Sequence, residues 1–381
     1  MPNVIDLFAG AGGLSLGTAR AGFNITAAVE IEAHAIESHR INFPHTVHIQ
    51  RDIMTLSGNE VLRLAGIQRH ELTGIIGGPP CQGFSNIGQG DVDDTRNRLF
   101  IKFFELIEAL QPTFFVAENV PGIMKPKYEE IRNKAFGHVA NYHILDPVCV
   151  NASEYGAPTV RTRYFFIGYL DNGQIGPFTI NDITAMQVPE TLRTTVRQAL
   201  EGLPSDIRYR NKNSSGLKRL TQDYLNTDVA HVQSDFFYQR VTGMIPEGVG
   251  DAKYINTYRE KHIVNGFYPT KHTRNVRARY AQLMAGQQDR ISKSIRLDPD
   301  GYCPTLRAGT GPEKGSYQAV RPIHFDHARV ITPREAARLQ GFPDWYKLPE
   351  TIWHGFRQIG NSVSPIAAER VLSAIYQKLM L

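Results

Sequence analysis

"DLFAGAGGLSLG", Asp6 to Gly17, decides the fold. It continues a short apolar run, "NVIDLF" (3–8), and opens a helical pattern, so a strand passes into a helix through a glycine-rich turn. Glycines at such a turn let backbone N–H groups approach a ligand at the carboxyl edge of a sheet. The runs "ITAAVE" (25–30), "TVHIQ" (46–50), "GIIGG" (74–78) and "TFFVAENV" (113–120) read as further strands, and "VRTRYFFIGYL" (160–170) as one more. Between the two runs that flank it, "LFIKFFELIEAL" (99–110) is apolar at helical spacing and stops at Pro112. Strands separated by helix-length segments need crossover connections. The expected fold is therefore α/β, a doubly wound and mostly parallel sheet covered on both faces.

At 381 residues and 42.7 kDa, the chain can hold one large domain and a smaller second one. Its 41% apolar and 21% charged composition is that of a folded globular protein. It holds no apolar run of the length a membrane span needs, and "MPNVIDLF" lacks the basic flank of a signal peptide. Cys81, Cys149 and Cys303 are odd in number and have no metal-ligand spacing, which points to a reducing, cytoplasmic setting and no metal. After about residue 180 the pattern breaks up, and residues 205–320 show no clean period. Regularity returns at "TPREAARLQGF" (332–342), with Thr332 as N-cap and Pro333 in the first helical position. A last helix is expected from Ser364-Pro365 to about Leu379. Net charge is +5, yet residues 205–296 carry 16 Lys/Arg against 8 Asp/Glu. A basic middle between less basic flanks suggests a polyanionic partner.

A glycine loop alone would equally suit a dinucleotide. Glu30 ends the second strand, where an acid accepts from ribose hydroxyls, and Asp52 follows the third, where one accepts from an adenine amino group. Together they point to an adenosine-bearing cofactor without saying which. In "GGPPCQGFSN" (77–86) two prolines fix φ and remove donors, so Cys81 is presented on a stiff loop. A free thiol, with a pKa of about 8.5, needs help from its neighbours to act as a nucleophile at neutral pH. Cys149 and Cys303 read instead as small buried hydrophobes. "AENV" (117–120) places Glu118 at a strand's end as a candidate acid. "RTR" (161–163) puts Arg161 and Arg163 on one face of the following strand, suited to a bidentate grip on carbonyl or phosphate oxygens.

In this order the motifs resemble those of the cytosine-5 DNA methyltransferases of bacterial restriction-modification systems, nearly end to end. "DLFAGAGGLSLG" is similar to the family's first motif, "GGPPCQGFS" to the fourth and "ENV" to the sixth. "RTR" is similar to the eighth, "REAARLQGFPD" (334–344) to the ninth and "GNSVSP" (360–365) to the tenth. Three positions depart from the pattern: Thr159 stands where Gln is usual, Asn97 where Gly is common, and Ile31 where some members carry a large aromatic.

The resemblance implies an S-adenosylmethionine-dependent methyltransferase fold with catalytic residues Cys81, Glu118, Arg161 and Arg163. Phe8, Ala9, Gly10, Gly12, Gly13 and Leu14 would surround the methionine part of the cofactor. Glu30 would take its ribose, and Ile31, Asp52 and Ile53 its adenine. Pro79, Leu99, Asn361, Ser362 and Val363 would close the pocket. Residues 1–180, completed by about 350–381, would form the catalytic domain, and 181–349 a smaller, irregular DNA-recognition domain. The partner implied is double-stranded DNA, bound by a monomer. Lys271, Arg274, Arg277 and Arg279 in "KHTRNVRARY" (271–280) and Arg307 in "GYCPTLRAGTG" (301–311) are its expected contacts, with Gln82, Ser85 and Arg96 beside the thiol loop. The polar stretch 86–99 would act as a lid over a flipped base. A tRNA cytosine-5 methyltransferase on the same scaffold would need the same thiol and acid. A nicotinamide oxidoreductase would share the glycine loop and Glu30, but it explains neither Pro-Pro-Cys nor "ENV". A non-catalytic DNA-binding module fits poorly with retention of every reacting group.

Overall fold

The computed structural model of the chain describes residues 1–80, 97–207, 216–220, 236–309 and 321–379. The expected lid (86–96 of it) and Cys81, Gln82, Ser85 and Arg96 lie outside the described residues. The first half alternates as anticipated: β1 (Asn3–Asp6), α1 (Gly13–Arg20), β2 (Asn24–Val29), α2 (Ala33–Asn42), β3 (Val47–Ile49), α3 (Gly58–Ala65), β4 (Leu72–Gly77), α4 (Asn97–Leu110) and β5 (Phe114–Asn119). There follow α5 (Glu129–Gly137), β6 (His143–Ile144), β7 (Val148–Asn151), β8 (Thr159–Val160) and β9 (Thr162–Tyr169).

The main sheet runs β3-β2-β1-β4-β5-β9-β6, with β7 also on β9. Strands β1 to β5 pair in parallel, and β9 is antiparallel to β5. The order reverses between β1 and β4, the place where open α/β sheets receive ligands. Successive residues alternate between two cores. Val4, Phe114, Val116 and Phe165 join the one containing α1, and Ile5, Phe115, Ala117 and Phe166 the one containing α3 and α4. Both faces are thus covered, as a parallel sheet requires. In α4 the buried Phe100, Phe103, Phe104, Ile107 and Leu110 recur at helical spacing, which fixes the face it turns to the sheet.

The region with no legible period contains short elements: α6 (Ile180–Thr184), α7 (Val196–Leu200), β10 (Lys218–Arg219), α8 (Phe236–Thr242), α9 (Ala252–Lys261), β11 (Ile263–Val264), α10 (Arg274–Ala281) and β12 (Cys303–Pro304). The chain ends with α11 (Pro333–Gln340), α12 (Ile352–Asn361) and α13 (Pro365–Tyr376). Thr332 caps the start of α11, as the sequence anticipates, and Glu335 completes a capping box with it. The final helix stops at Tyr376, three residues short of the expected end.

Helix α13 returns to pack on α1. A Cβ on Gly17 would stand 2.4 Å from Ala368 Cβ and 2.6 Å from Glu369 N, so only glycine permits this helix separation. Gly17→Ala is expected to cost about 1–3 kcal/mol through overpacking, despite alanine's better helix propensity. An unchanged urea midpoint would contradict that. The basic insert is tied to the same place: Arg240 of α8 pairs with Glu369 at 2.7 Å, and Arg20 of α1 lies 4.0 Å from that carboxylate.

Candidate active site

The glycine loop leaves β1 at the point where strand order reverses. Gly10 takes φ +53° and donates its N–H to Glu30 Oε2 at 2.9 Å, while Glu32 N donates to Glu30 Oε1 at 2.9 Å. Burial pushes the Glu30 carboxyl above its ordinary value, against the pull of those N–H groups. Ala9 N reaches Val29 O, so loop and second strand close on one another. A Cβ on Gly10 would meet nothing within 4 Å, and Ile31, beside Glu30, is 63% exposed. Open space above a glycine next to a bare aliphatic side chain fits an adenosine-bearing ligand.

The other expected cofactor residues stand on several elements. Phe8 is half-buried and packs into the core with Leu99, while Pro79 is buried where β4 ends. Asp52 is exposed and accepts from Met54 N at 3.0 Å, with Ile53 buried behind it. From the far end of the chain, α12 delivers Asn361, exposed, then Ser362 and Val363, buried. The Val363 carbonyl lies 2.4 Å from where a Cβ on Gly13 would stand, so this segment closes directly on the loop and on buried Leu14.

At the neighbouring strand ends, Glu118 in β5 is buried and meets Arg163 of β9, Nε to Oε1, at 2.7 Å. Its Oε2 is 3.0 Å from the place a Cβ on Gly78 would occupy, and Asn119 Nδ2 donates to Pro79 O at 3.4 Å. The backbone leading to Cys81 therefore starts against the acid.

Two expectations about this region are corrected. Arg161 and Arg163 do not share one strand face: the strand breaks at Arg161, between β8 and β9. Strand β8 leaves the main sheet to pair in parallel with β12, and Arg161, buried, donates to Leu306 O at 3.3 Å. Thr159, where the family usually has Gln, supplies the brace by donating to Cys303 O at 3.0 Å. Cys149 is exposed on β7 rather than buried. Cys303 is buried, and burial pushes its thiol well above the ordinary value, so it is inert.

On the basic side, Lys271, Arg274 and Arg277 are exposed around the start of α10. A cleft of about 370 Å³ opens there between Lys271, His272, Arg277, Asp206 and Arg329. Arg279 already has a partner, because Asp289 holds it through two hydrogen bonds of 2.6 and 3.3 Å. Arg307 is exposed, with its backbone against Gly360 of α12. Sequence reasoning missed Ser15, His39 and Tyr346, which support the glycine loop from below. Among the described residues no group could hold a metal ion, and no helix is long and apolar enough to cross a membrane.

A doubly wound sheet whose glycine loop closes on the Glu30 carboxylate where the strand order reverses belongs to the class of α/β proteins that bind a nucleotide-like cofactor at that edge. More narrowly, residues 2–377 match the family model of the C-5 cytosine-specific DNA methylases, and the chain belongs to that family: it is a DNA (cytosine-5-)-methyltransferase. It is 35% identical to the Type II methyltransferase M.XorII of Xanthomonas oryzae over 99% of this chain and 85% of that one. It is 31% identical to M.DdeI of Desulfomicrobium norvegicum over 98% and 88%. A solved structure of a candidate DNA modification methyltransferase encoded within an E. coli prophage superposes with a TM-score of 0.86, at 47% identity and 99% coverage of both chains. The S. pombe Dnmt2 methyltransferase, at 17% identity, a TM-score of 0.63 and 99% coverage of both, shares the fold. Membership implies S-adenosylmethionine as methyl donor, and the open space over Gly10, the Glu30 carboxylate and exposed Ile31 fit that ligand.

Proposed function

We propose that the chain extrudes one cytosine from duplex DNA at a short specific sequence and methylates its carbon 5 through a covalent adduct with Cys81. The observation that carries this reading is the contact of buried Glu118 with Arg163, beside the backbone that runs into Pro79-Pro80-Cys81. Carbon 5 of cytosine is a weak nucleophile. Addition of the Cys81 sulfur to carbon 6, with Glu118 giving a proton to ring nitrogen 3, converts the ring to an enamine that is nucleophilic at carbon 5. S-adenosylmethionine would supply the activated methyl group. Loss of the carbon-5 proton and expulsion of the sulfur then restore the aromatic ring. Arg163 orients the Glu118 carboxyl, and Arg161 braces the turn that precedes it.

The methionine part of the cofactor would lie against Phe8 and the amides of Gly10 to Leu14, its ribose on Glu30, and its adenine near Ile31, Asp52 and Ile53. The α10 region, with Lys271, Arg274 and Arg277, would hold DNA phosphates and set register. The Type II relatives favour DNA over tRNA as substrate and a partner restriction endonuclease in the host. Bisulfite sequencing of DNA from cells expressing the protein tests the reading, since it reports base, position and sequence context together. Absence of any sequence context that resists conversion would sink it. Glu118→Gln is expected to lower kcat by roughly 10²–10⁴-fold with DNA affinity unchanged. A loss of less than about tenfold would remove Glu118 from the chemistry.

A further inference from the structure

Beneath the glycine loop lies a chain of buried polar groups that the methylation chemistry does not use. Asp6, the last residue of β1, is fully buried; its Oδ1 accepts from Phe8 N at 3.3 Å and its Oδ2 from Ser15 Oγ at 2.7 Å. One carboxyl thus clasps both ends of the loop. Ser15 Oγ is 3.0 Å from His39 Nε2, and His39 Nδ1 is 2.9 Å from His48 Nε2. The buried His39 ring stacks on Phe43, centroids 4.2 Å apart, and its Cδ2 comes within 3.1 Å of a Cβ position on Gly12. His48, on β3, is half-buried, so the chain leads from the base of the loop toward solvent.

We propose that His39 is a positioning residue for the cofactor loop, and that Asp6, Ser15, His39 and His48 form a proton relay that makes cofactor binding pH-dependent. This rests on reading the loop as the S-adenosylmethionine site.

Donor counting supports the relay. With a proton on Asp6, its O–H donates to Ser15, Ser15 donates to His39 Nε2, and His39 Nδ1–H donates to His48 Nε2. The other His48 nitrogen is left for the Thr46 backbone, with which His48 hydrogen-bonds. If each proton moves one place outward, every bond reverses and none is lost. The result is an Asp6 carboxylate and a His48 imidazolium with the same proton count, and His48 can pass its extra proton to water. Asp6 has no contact with solvent of its own.

Burial pushes Asp6 up to about 7, and burial with the nearby Arg40 charge pushes His48 down to about 4. Burial and His48 also hold His39 well below its ordinary value, so the imidazolium forms of both histidines are transient at neutral pH. The other groups facing the relay are Glu30, beside Asp6, and Glu37, beside His48. From the C-terminal segment the titratable Tyr346 phenol also reaches the loop, donating to Ala11 O. A ligand over the loop adds the carboxylate of its methionine end, which favours the protonated form of Asp6. Binding then takes up a proton, and affinity falls as pH rises through about 7.

Calorimetric titration with S-adenosylhomocysteine from pH 6 to 8.5 tests this without turnover. Wild-type Kd should rise several-fold across the interval, and Asp6→Asn should flatten the profile. His39→Phe keeps the ring against Phe43 but loses both hydrogen bonds. It should weaken binding about tenfold at pH 6.5 and shift the pH at which affinity falls, because Asp6 loses the chain that shares its proton. Ser15→Ala, a smaller change, should do the same if His39→Phe fails to fold. A flat wild-type profile, or His39 and Ser15 variants whose profile coincides with the wild-type one, would overturn the relay. Failure to bind the ligand at any pH would instead overturn the assignment of the site.

Discussion

Cys81→Ala is expected to abolish methyl transfer, by at least about 10⁴-fold, while leaving S-adenosylhomocysteine and duplex affinity within about twofold of wild type. The reason is that the other groups cannot substitute for the sulfur. Glu118 and Arg163 can hold and protonate the ring, but without a nucleophile on carbon 6 the ring stays aromatic and carbon 5 stays unreactive. The effect should therefore fall on kcat and not on binding. Duplex carrying 5-fluorocytosine at the target should trap wild-type protein as an adduct stable to denaturation, because fluorine cannot leave as the carbon-5 proton does. The alanine variant should form none. Normal turnover by Cys81→Ala, or an adduct that forms without the thiol, would show that the nucleophile lies elsewhere.

The sheet was legible because each strand carries its own local evidence: an apolar run, a turn and a helix-length interval. So was the site edge, since Gly10, Glu30, Pro79 and Glu118 all follow or end such strands, and a doubly wound sheet gathers those ends. What escaped depends on contacts between distant parts of the chain. Nothing in "RTR" says that β8 will leave the sheet to pair with Cys303–Pro304, 144 residues away at Thr159 and Cys303. Arg277 and Arg279 look alike in sequence, yet Asp289 captures only the second. Helix α12 was missed because "IWHGFRQIGN" holds two glycines, although Thr351 caps it through His354 N at 3.2 Å. His39 reads as one polar residue in an ordinary surface helix. Only the fold brings it to Ser15, 24 residues earlier.

A second large effect is expected far from the chemistry, at Asp344. In "REAARLQGFPD" all four charged residues are buried: Arg334, Glu335, Arg338 and Asp344 are each at most 1% exposed. Arg334 donates to the carbonyls of Asn265, Pro343 and Tyr346, and Glu335 pairs with Arg329 at 2.7 Å. Arg338 donates to Asp344 through Nε at 3.0 Å and again through Nη2, and its Nη1 reaches Ala199 O and Glu201 O at 2.9 and 3.0 Å. This guanidinium ties α11 to α7, and Asp344 is the anion that balances its charge. Asp344→Ala leaves a buried cation without it, and should cost about 3–5 kcal/mol in urea unfolding. Replacing both partners with apolar residues, Arg338→Met with Asp344→Leu, should recover part of that loss by removing the unpaired charge. Recovery cannot be complete, because the Ala199 and Glu201 carbonyls would lose their donor. If Asp344→Ala costs less than about 1 kcal/mol, the buried pair is not what holds this segment, and the double variant should then be the less stable of the two.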